Sequence, residues 1–178
     1  MIISRIHSGL GNQMFQYAAG KALALRLRTA LKLDMGWFDI PDDKVRLKRD
    51  FELKIFHNIH IDQAEAAECR RIGYVDDFGF SILGKIKRRC CSCYRCLFAK
   101  SSYITDHEDI LGLSAEKNDY YLDGYWQSEI YFKDYADQII KDFSFPSFTD
   151  ERNIALSAEL KKESNSVGVH VRRGDYVS

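Results

Sequence analysis

The chain has 178 residues, of which 46% are apolar, and this is enough for one domain with a substantial core. Its 26 lysines and arginines balance 26 aspartates and glutamates, which argues against a general nucleic-acid-binding protein, whose domain is normally basic. No run approaches the ~18 apolar residues of a membrane-spanning helix, and the amino terminus has no signal-peptide h-region, so we expect a cytoplasmic protein with reduced cysteines.

The amino-terminal part of the chain predicts a β-α-β unit. Residues 2–7, with isoleucine at positions 2, 3 and 6, predict a buried strand, and Ser8 begins the turn out of it. Asn12 is expected to cap a helix that runs to about Arg28 and packs an apolar stripe on the sheet. A second strand over 30–34 completes the unit, whose right-handed crossover makes the two strands parallel.

Two glycines flank Leu10 in the turn before this helix. The backbone N–H groups of the helix start, with Gly9 and Gly11 beside them, form a site that an oxyanion can approach. These glycines and Asp34 also imitate a dinucleotide-binding fingerprint, in which the acid holds a ribose. Met14 stands where that fingerprint needs a third glycine for close helix–strand packing, so a nicotinamide-dependent enzyme is only a third alternative.

After the second strand the apolar pattern weakens. We expect a turn at 41–43, a strand over 51–56 and, from its alanine and glutamate content, a short helix over 62–71. Further strands are predicted over 101–105 and 120–126.

Four of the five cysteines fall within seven residues, namely Cys90, Cys91, Cys93 and Cys96. The last two have the spacing of a metal knuckle, but a structural zinc site brings a second pair of ligands at a fixed distance. No such pair is evident in the sequence, so a reduced, partly buried helix is favoured over a metal site. The basic residues before them either contact an anionic membrane surface peripherally or form a solvated face: Lys85, Lys87, Arg88 and Arg89.

Aromatic and amide side chains end the strand predicted over 120–126. Trp126 and Gln127 are suited to stacking on a sugar ring and to hydrogen bonding with it, although aromatic residues in strands more often belong to the core. Helices are then predicted from about residue 130, over 133–143 and, with a clear amphipathic pattern, over 150–163.

The chain ends with a charged cluster behind a short apolar run. Residues 167–171 predict a buried strand, and ligands of open α/β sheets sit beyond the carboxyl ends of the strands. Two cations, a titratable ring and a carboxylate in six residues make a poor core and a good anion site: His170, Arg172, Arg173 and Asp175. One arginine can bind a phosphate while Asp175 holds the other, and the alternative is a structural arginine–aspartate pair.

Motifs at opposite ends of the chain resemble those of one enzyme family. The stretch His170-Val-Arg-Arg-Gly-Asp175 resembles the H-x-R-R-x-D motif of α1,2- and α1,6-fucosyltransferases. The stretch Ser8-Gly-Leu-Gly-Asn-Gln-Met-Phe-Gln-Tyr-Ala18 resembles the opening signature of the bacterial α1,2-fucosyltransferases, glycosyltransferase family 11. A third stretch, Gly124-Tyr-Trp-Gln-Ser-Glu-Ile-Tyr-Phe132, resembles a further segment of the same family.

The resemblance implies an α/β glycosyltransferase with a GT-B-like fold of two Rossmann-like domains, of which only the amino-terminal one is essentially complete here. Residues 1–163 would form that acceptor-side domain, and residues 164–178 would begin the GDP-fucose-binding domain. The chain is therefore expected to be an amino-terminal portion that is inactive alone. The turn with Gly9 and Gly11 would border the cleft, and Asn12 would face the reacting diphosphate-sugar.

The implied reaction is the inverting transfer of L-fucose from GDP-fucose to the 2-hydroxyl of a galactose in a glycan or lipid-linked oligosaccharide. Charge builds on the diphosphate as GDP leaves, and the sequence contains no Asp-x-Asp motif, which often holds a divalent metal in sugar-nucleotide enzymes. Arg172 and Asn12 are thus the predicted catalytic residues, with no cofactor or metal. The substrate-binding set is His170, Arg173, Asp175, Gly9, Gly11, Trp126 and Gln127. The alternative from another class is a non-catalytic module that binds a sugar nucleotide or another anion.

Overall fold

The computed structural model describes residues 1–41, 43, 48–72, 103–105, 109–114, 119–169 and 171. Among these residues the strands are β1 (Ile2–Arg5), β2 (Leu31–Asp34), β3 (Tyr103–Thr105) and β4 (Tyr120–Asp123). They form one sheet in the order β2-β1-β4-β3, and every neighbouring pair is parallel. This confirms the α/β class and the parallel pairing of the first two strands.

Helices connect and cover these strands. The α-helices of the described residues are α1 (Leu10–Leu27), α2 (Ala66–Arg71), α3 (Ala136–Asp142) and α4 (Glu151–Leu160). Short 3-10 helices lie at Gly36–Asp39, Leu53–Ile55, Glu129–Tyr131 and Lys133–Tyr135. None of the helices in the described ranges is both long and apolar enough to cross a bilayer.

β1 is buried on both faces because it lies inside the sheet. Ile2 packs with Ala19 and Leu23 of α1 on one face. Ile3, which points the other way, packs with Cys69 of α2 and with Tyr121. Helices α1 and α2 therefore cover opposite faces, and this two-sided burial explains why Ile2 and Ile3, which point to opposite faces, are both apolar.

Gly20, near the middle of α1, sets the distance between α1 and β1. A Cβ at this position would lie 2.9 Å from Ser4 Cβ and 3.0 Å from Leu31 Cδ1, closer than side chains pack. Across the same contact, Ser4 Oγ donates to the carbonyl of Gln16 at 2.8 Å. The close helix–strand approach that a dinucleotide fingerprint assigns to position 14 thus occurs at Gly20, which the sequence analysis did not select.

We expect Gly20→Val to lower the free energy of unfolding by about 1–3 kcal/mol, because the added side chain would push α1 away from β1. The matched control is Gly11→Val in the first turn of α1, where a Cβ meets nothing within 4 Å. Chemical denaturation measures both variants. Equal stability of the two would contradict the tight contact.

Residues 51–56 do not form the predicted strand. Leu53–Ile55 is a 3-10 helix, and Leu53 and Phe56 are buried in one cluster while Ile55 is 39% exposed. Burial at a spacing of three suits a helical turn and not a strand, in which the period is two. The edge of β2 is instead contacted through an isolated parallel bridge between Leu33 and Gln63.

Residues Met1–Phe145 and Pro146–Ser178 form two compact units. The second contains α4, whose first turn is capped by Asp150 Oδ1, which accepts from the backbone N–H of Asn153 at 2.8 Å. The helix predicted over 150–163 is therefore present but shorter. The predicted domain boundary after residue 163 and the GT-B-like arrangement remain predictions.

The strand predicted over 167–171 is not observed. The described residues of this run lie outside strands, and Val167, Val169 and Val171 are 88%, 83% and 76% exposed. A strand requires a neighbour that pairs with its backbone groups, and the described residues of the Pro146–Ser178 unit include no such neighbour. The prediction of a buried strand from the apolar pattern alone was therefore wrong.

Candidate functional site

The carboxyl ends of β1 and β4 lie side by side in the sheet, and the segments that follow them meet. The segment after β1 leads into α1, whose third residue is Asn12, and the segment after β4 contains Gln127. Gln127 Nε2 donates a hydrogen bond to Asn12 Oδ1 at 2.6 Å. Two residues predicted for the site, 115 positions apart in the sequence, are therefore in direct contact.

His7, two residues after β1, contacts two rings from beyond the ends of β2 and β4. The His7 ring meets Tyr125 edge to face at a centroid distance of 4.8 Å and lies 6.4 Å from a ring of Trp37. Its Nδ1 is 3.0 Å from Ser8 Oγ. Tyr125 is 42% exposed, so its side chain is accessible at this edge. None of these three rings was predicted from the sequence, although their positions just after strands were the available signal.

Buried glutamines of α1 fix the segment that follows β1. Gln13 is fully buried, and its Nε2 donates to the carbonyls of Ser8 and Asp50, each at 2.8 Å. Gln16, also fully buried, accepts a hydrogen bond from the backbone N–H of His7 at 2.9 Å. Breaking a buried hydrogen bond costs about 1–3 kcal/mol, so these contacts hold the segment in one conformation.

Helix α1 begins earlier than predicted, and Asn12 does not cap it. The N-cap is Gly9, which is extended and makes no side-chain cap, and the first helical hydrogen bond joins Gln13 N to Gly9 O at 3.1 Å. The N–H groups of the three residues before Gln13 therefore have no partner within the helix. No acidic side chain lies in this turn, and a Cβ at Gly9 or Gly11 would meet nothing within 4 Å. The geometry leaves room for an anion at the positive end of the helix.

Trp126 is a core residue, which corrects its predicted position at the ligand. The indole is 2% exposed, belongs to the cluster around Ile2 and packs edge to face on Tyr131, with centroids 5.5 Å apart. Its φ of 52° turns the chain, and the residues on either side, Tyr125 and Gln127, are exposed. The large apolar area of an indole favours the core over the surface at this strand end.

Asp34, which the dinucleotide alternative assigns to a ribose, already has partners. Its carboxylate accepts from the hydroxyl of Tyr121 and from the backbone N–H of Gly36, the latter at 2.9 Å, and the residue is only 8% exposed. A buried carboxylate with both oxygens engaged is unsuited to a ribose hydroxyl. This geometry argues against the nicotinamide alternative.

The charged side chain at the carboxyl end of β1 serves the fold. Arg5 forms an ion pair with Asp123 at 3.1 Å, and Asp123 also accepts from the hydroxyl of Tyr103.

Burial, with a contribution from Asp34, raises the pKa of the Cys69 thiol to about 12. The thiol is therefore protonated at neutral pH and is not a nucleophile.

The predicted carboxyl-terminal anion site lies outside the described residues: His170, Arg172, Arg173 and Asp175. The cysteine run and the basic residues before it also lie outside them: Cys90, Cys91, Cys93, Cys96, Lys85, Lys87, Arg88 and Arg89. Within the described ranges, no group of three or more histidine, cysteine, aspartate and glutamate side chains could hold a metal ion. The roles predicted for the residues outside these ranges remain predictions.

Comparisons with known proteins agree with the motifs. The model of glycosyl transferase family 11 matches residues 99–178. An alpha-1,2-colitosyltransferase of Escherichia coli is 29% identical over 182 residues, which cover 100% of this chain and 56% of that protein. The O-antigen biosynthesis glycosyltransferase WbnK of Escherichia coli is 28% identical over 191 residues, which cover 98% and 59%. No solved structure gives a significant match.

These matches confirm the resemblance to glycosyltransferase family 11 that the motifs indicate. The part matched by the family model includes both the segment around Gln127 and the H-x-R-R-x-D motif. The chain spans a little over half the length of the curated relatives that it matches.

Proposed function

We propose that the protein that carries this sequence transfers L-fucose from GDP-fucose to the 2-hydroxyl of a galactose, with inversion at the anomeric carbon. The acceptor is a galactose-containing glycan or a lipid-linked oligosaccharide in the cytoplasm. The three motif resemblances and the similarity to glycosyltransferases support this reaction.

The observation that carries the proposal is the contact between two of the motifs. Residues 8–18 and 124–132 are remote in sequence, yet Asn12 and Gln127 are hydrogen-bonded at the carboxyl edge of the sheet. This edge is where α/β proteins bind their ligands. Polar side chains from two family motifs that converge there favour a substrate site over a structural contact.

Two kinds of group stabilise the diphosphate as GDP leaves. The first is the start of α1, whose N–H groups and dipole attract an anion, together with the amide of Asn12. The second is Arg172, whose permanent charge and planar guanidinium suit a phosphate, with His170 and Asp175 orienting it. Preorganised groups of this kind replace the metal that an Asp-x-Asp motif would hold.

The rings of Tyr125 and Trp37, which lie against His7, are suited to the acceptor sugar. The face of an aromatic ring packs on the apolar C–H face of a galactose, and Tyr125 is accessible for such a contact. Trp37 is also near the His7 ring, with centroids 6.4 Å apart, and adds to the apolar surface. Tyr125 and Trp37 thus take the stacking role that the sequence suggested for Trp126.

A second candidate donor is nucleotide-activated colitose, because the similarity to the alpha-1,2-colitosyltransferase extends over the whole chain. The two donors share the reaction class and differ in the transferred sugar. The site residues proposed above act on the diphosphate and the acceptor, so they serve either donor.

The test is a transfer assay with the complete protein, a β-galactoside acceptor and each donor in turn, in the presence and absence of excess EDTA. We expect transfer of fucose, with undiminished rate in EDTA, because no Asp-x-Asp motif is present. Preferential transfer of colitose would show that the donor is nucleotide-activated colitose and not GDP-fucose, while the proposed class of reaction would stand. Complete loss in EDTA that manganese restores would overturn the metal-free mechanism. Donor binding without transfer from either donor would favour the non-catalytic module.

A further inference from the structure

The direction of the hydrogen bond between Gln127 and Asn12 assigns a role to each amide. Gln127 Nε2 is the donor and Asn12 Oδ1 the acceptor, at 2.6 Å. A side-chain amide carries its acceptor and its two donors on opposite sides. With Oδ1 turned toward Gln127, the Nδ2 donors of Asn12 face away from it. We propose that Gln127 is a positioning residue, which holds the Asn12 amide with its N–H donors toward the diphosphate; this rests on the proposed function.

The backbone of Gln127 is fixed from both sides. Trp126 before it is buried with φ of 52°, and the backbone N–H of Ser128 donates to the carbonyl of Trp126 at 2.7 Å, which closes a tight turn around Gln127. Ser128 then caps the 3-10 helix Glu129–Tyr131, because its Oγ accepts from the N–H of Ile130. The buried indole therefore anchors a turn that presents the Gln127 amide at the edge of the sheet.

The backbone of Asn12 is fixed as well, so its side-chain torsion is what Gln127 controls. Asn12 lies in the first turn of α1, and the next residue, Gln13, joins this turn to the segment 50–52 by accepting from the N–H of Glu52 at 2.8 Å. Gln13 also donates to the carbonyls of Ser8 and Asp50. An exposed amide on a fixed backbone rotates between two orientations of opposite polarity. The structure has the orientation in which Asn12 Oδ1 accepts from Gln127 Nε2.

In the proposed arrangement, the Nδ2 donors of Asn12 add to the N–H donors of the open helix start. The N–H groups of the first turn of α1 and the Nδ2 hydrogens of Asn12 are all positive ends of dipoles. Donors that are oriented before the reaction stabilise charge that develops in the transition state without a cost of reorganisation. The opposite orientation would bring a carbonyl oxygen to the same position and repel the anion.

The decisive variant is Gln127→Glu, which keeps the shape and reverses the hydrogen bond. At neutral pH the carboxylate only accepts, so Asn12 turns its Nδ2 toward residue 127 and its Oδ1 toward the donor sugar nucleotide. We expect kcat to fall about 10- to 100-fold, as for other residues that orient a ligand-binding group, with a smaller change in the donor KM. Gln127→Ala only leaves the Asn12 amide free to rotate, so we expect its kcat to fall less than that of Gln127→Glu.

The pH profile separates this role from a structural one. Below the ordinary glutamate pKa of about 4.3, the protonated carboxyl can donate to Asn12 Oδ1 again. The kcat of Gln127→Glu relative to wild type should therefore rise as the pH falls toward that value. Gln63→Glu, the same change at an exposed glutamine outside the site, should show no such rise. A structural role predicts the reverse order, with alanine worse than glutamate and both following the melting temperature.

NMR gives a readout that does not depend on turnover. In the complete protein, the Asn12 side-chain amide protons should shift downfield in Gln127→Glu and not in Gln63→Glu, because Nδ2 becomes a donor to a carboxylate. Unchanged Asn12 amide signals, or a near-wild-type kcat for Gln127→Glu while Asn12→Ala is impaired, would overturn the positioning role. Full activity of Asn12→Ala would refute instead the part of the proposed function that assigns Asn12 to the diphosphate, and the NMR result would still decide whether Gln127 orients the amide.

Discussion

Replacement of Arg172 by alanine in the complete protein is expected to lower kcat by roughly 10²–10³, the usual effect of losing one preorganised group that stabilises a developing anion. The interaction strengthens as GDP leaves, so kcat should fall more than donor affinity. Steady-state kinetics with varied GDP-fucose separate the two quantities.

The matched variant Arg172→Lys should recover little of this loss. Lysine keeps the charge but lacks the planar fork that binds two phosphate oxygens at once. Thermal melts of both variants serve as the control for folding. A near-wild-type kcat for Arg172→Ala, or a loss explained by a collapsed melting temperature, would make Arg172 structural and move the cation site to Arg173.

Asn12→Asp should separate catalysis from stability. The variant removes the Nδ2 donors and puts a negative charge beside the diphosphate, so we expect kcat to fall by roughly 10²–10³. Its carboxylate still accepts from Gln127 Nε2, so the observed contact is kept. An acidic residue in the first turn of a helix is stabilising by about 0.3–1 kcal/mol, so the melting temperature should stay constant or rise.

The control for Asn12→Asp is Asn165→Asp, which makes the same change at an exposed asparagine of the second unit. It should leave kcat unchanged. A loss in Asn12→Asp that accompanied a lower melting temperature, or no loss at all, would remove Asn12 from the proposed mechanism.

The first β-α-β unit was predictable because local patterns determine it. The strand predicted over 2–7 is β1, and the helix expected to end near Arg28 ends at Leu27. The error at its start has a physical cause. Asparagine is a good N-cap, but Gly9 already has the extended backbone that begins the helix, so Asn12 falls inside the first turn.

The strand predicted over 167–171 and the one predicted over 51–56 failed because a strand depends on its neighbours. An apolar pattern shows that a segment could form a strand. Whether a neighbouring strand is present to pair with it depends on the whole fold. The prediction that Trp126 stacks on a sugar was wrong for a related reason. Its position at a strand end suggested a ligand, whereas burial in the core cluster around Ile2 decided its place.

The contact between Asn12 and Gln127 could not be predicted from local sequence. It depends on β4 lying next to β1, although β2 and β3 separate them along the chain. Motif resemblance selected both residues independently, but only the strand order brings them together. The contact between His7 and Tyr125 could not be predicted for the same reason, because it forms only when the ends of β1 and β4 are adjacent.

The proposed reaction is tested most directly by the linkage of the product that the complete protein forms from GDP-fucose and a β-galactoside. NMR of the isolated product identifies both the anomeric configuration of the new sugar and the hydroxyl that carries it. We expect an α-linked fucose on the 2-hydroxyl of galactose, as inversion requires for a β-linked donor. Fucose on another hydroxyl, a β linkage, or release of free fucose without transfer would contradict it.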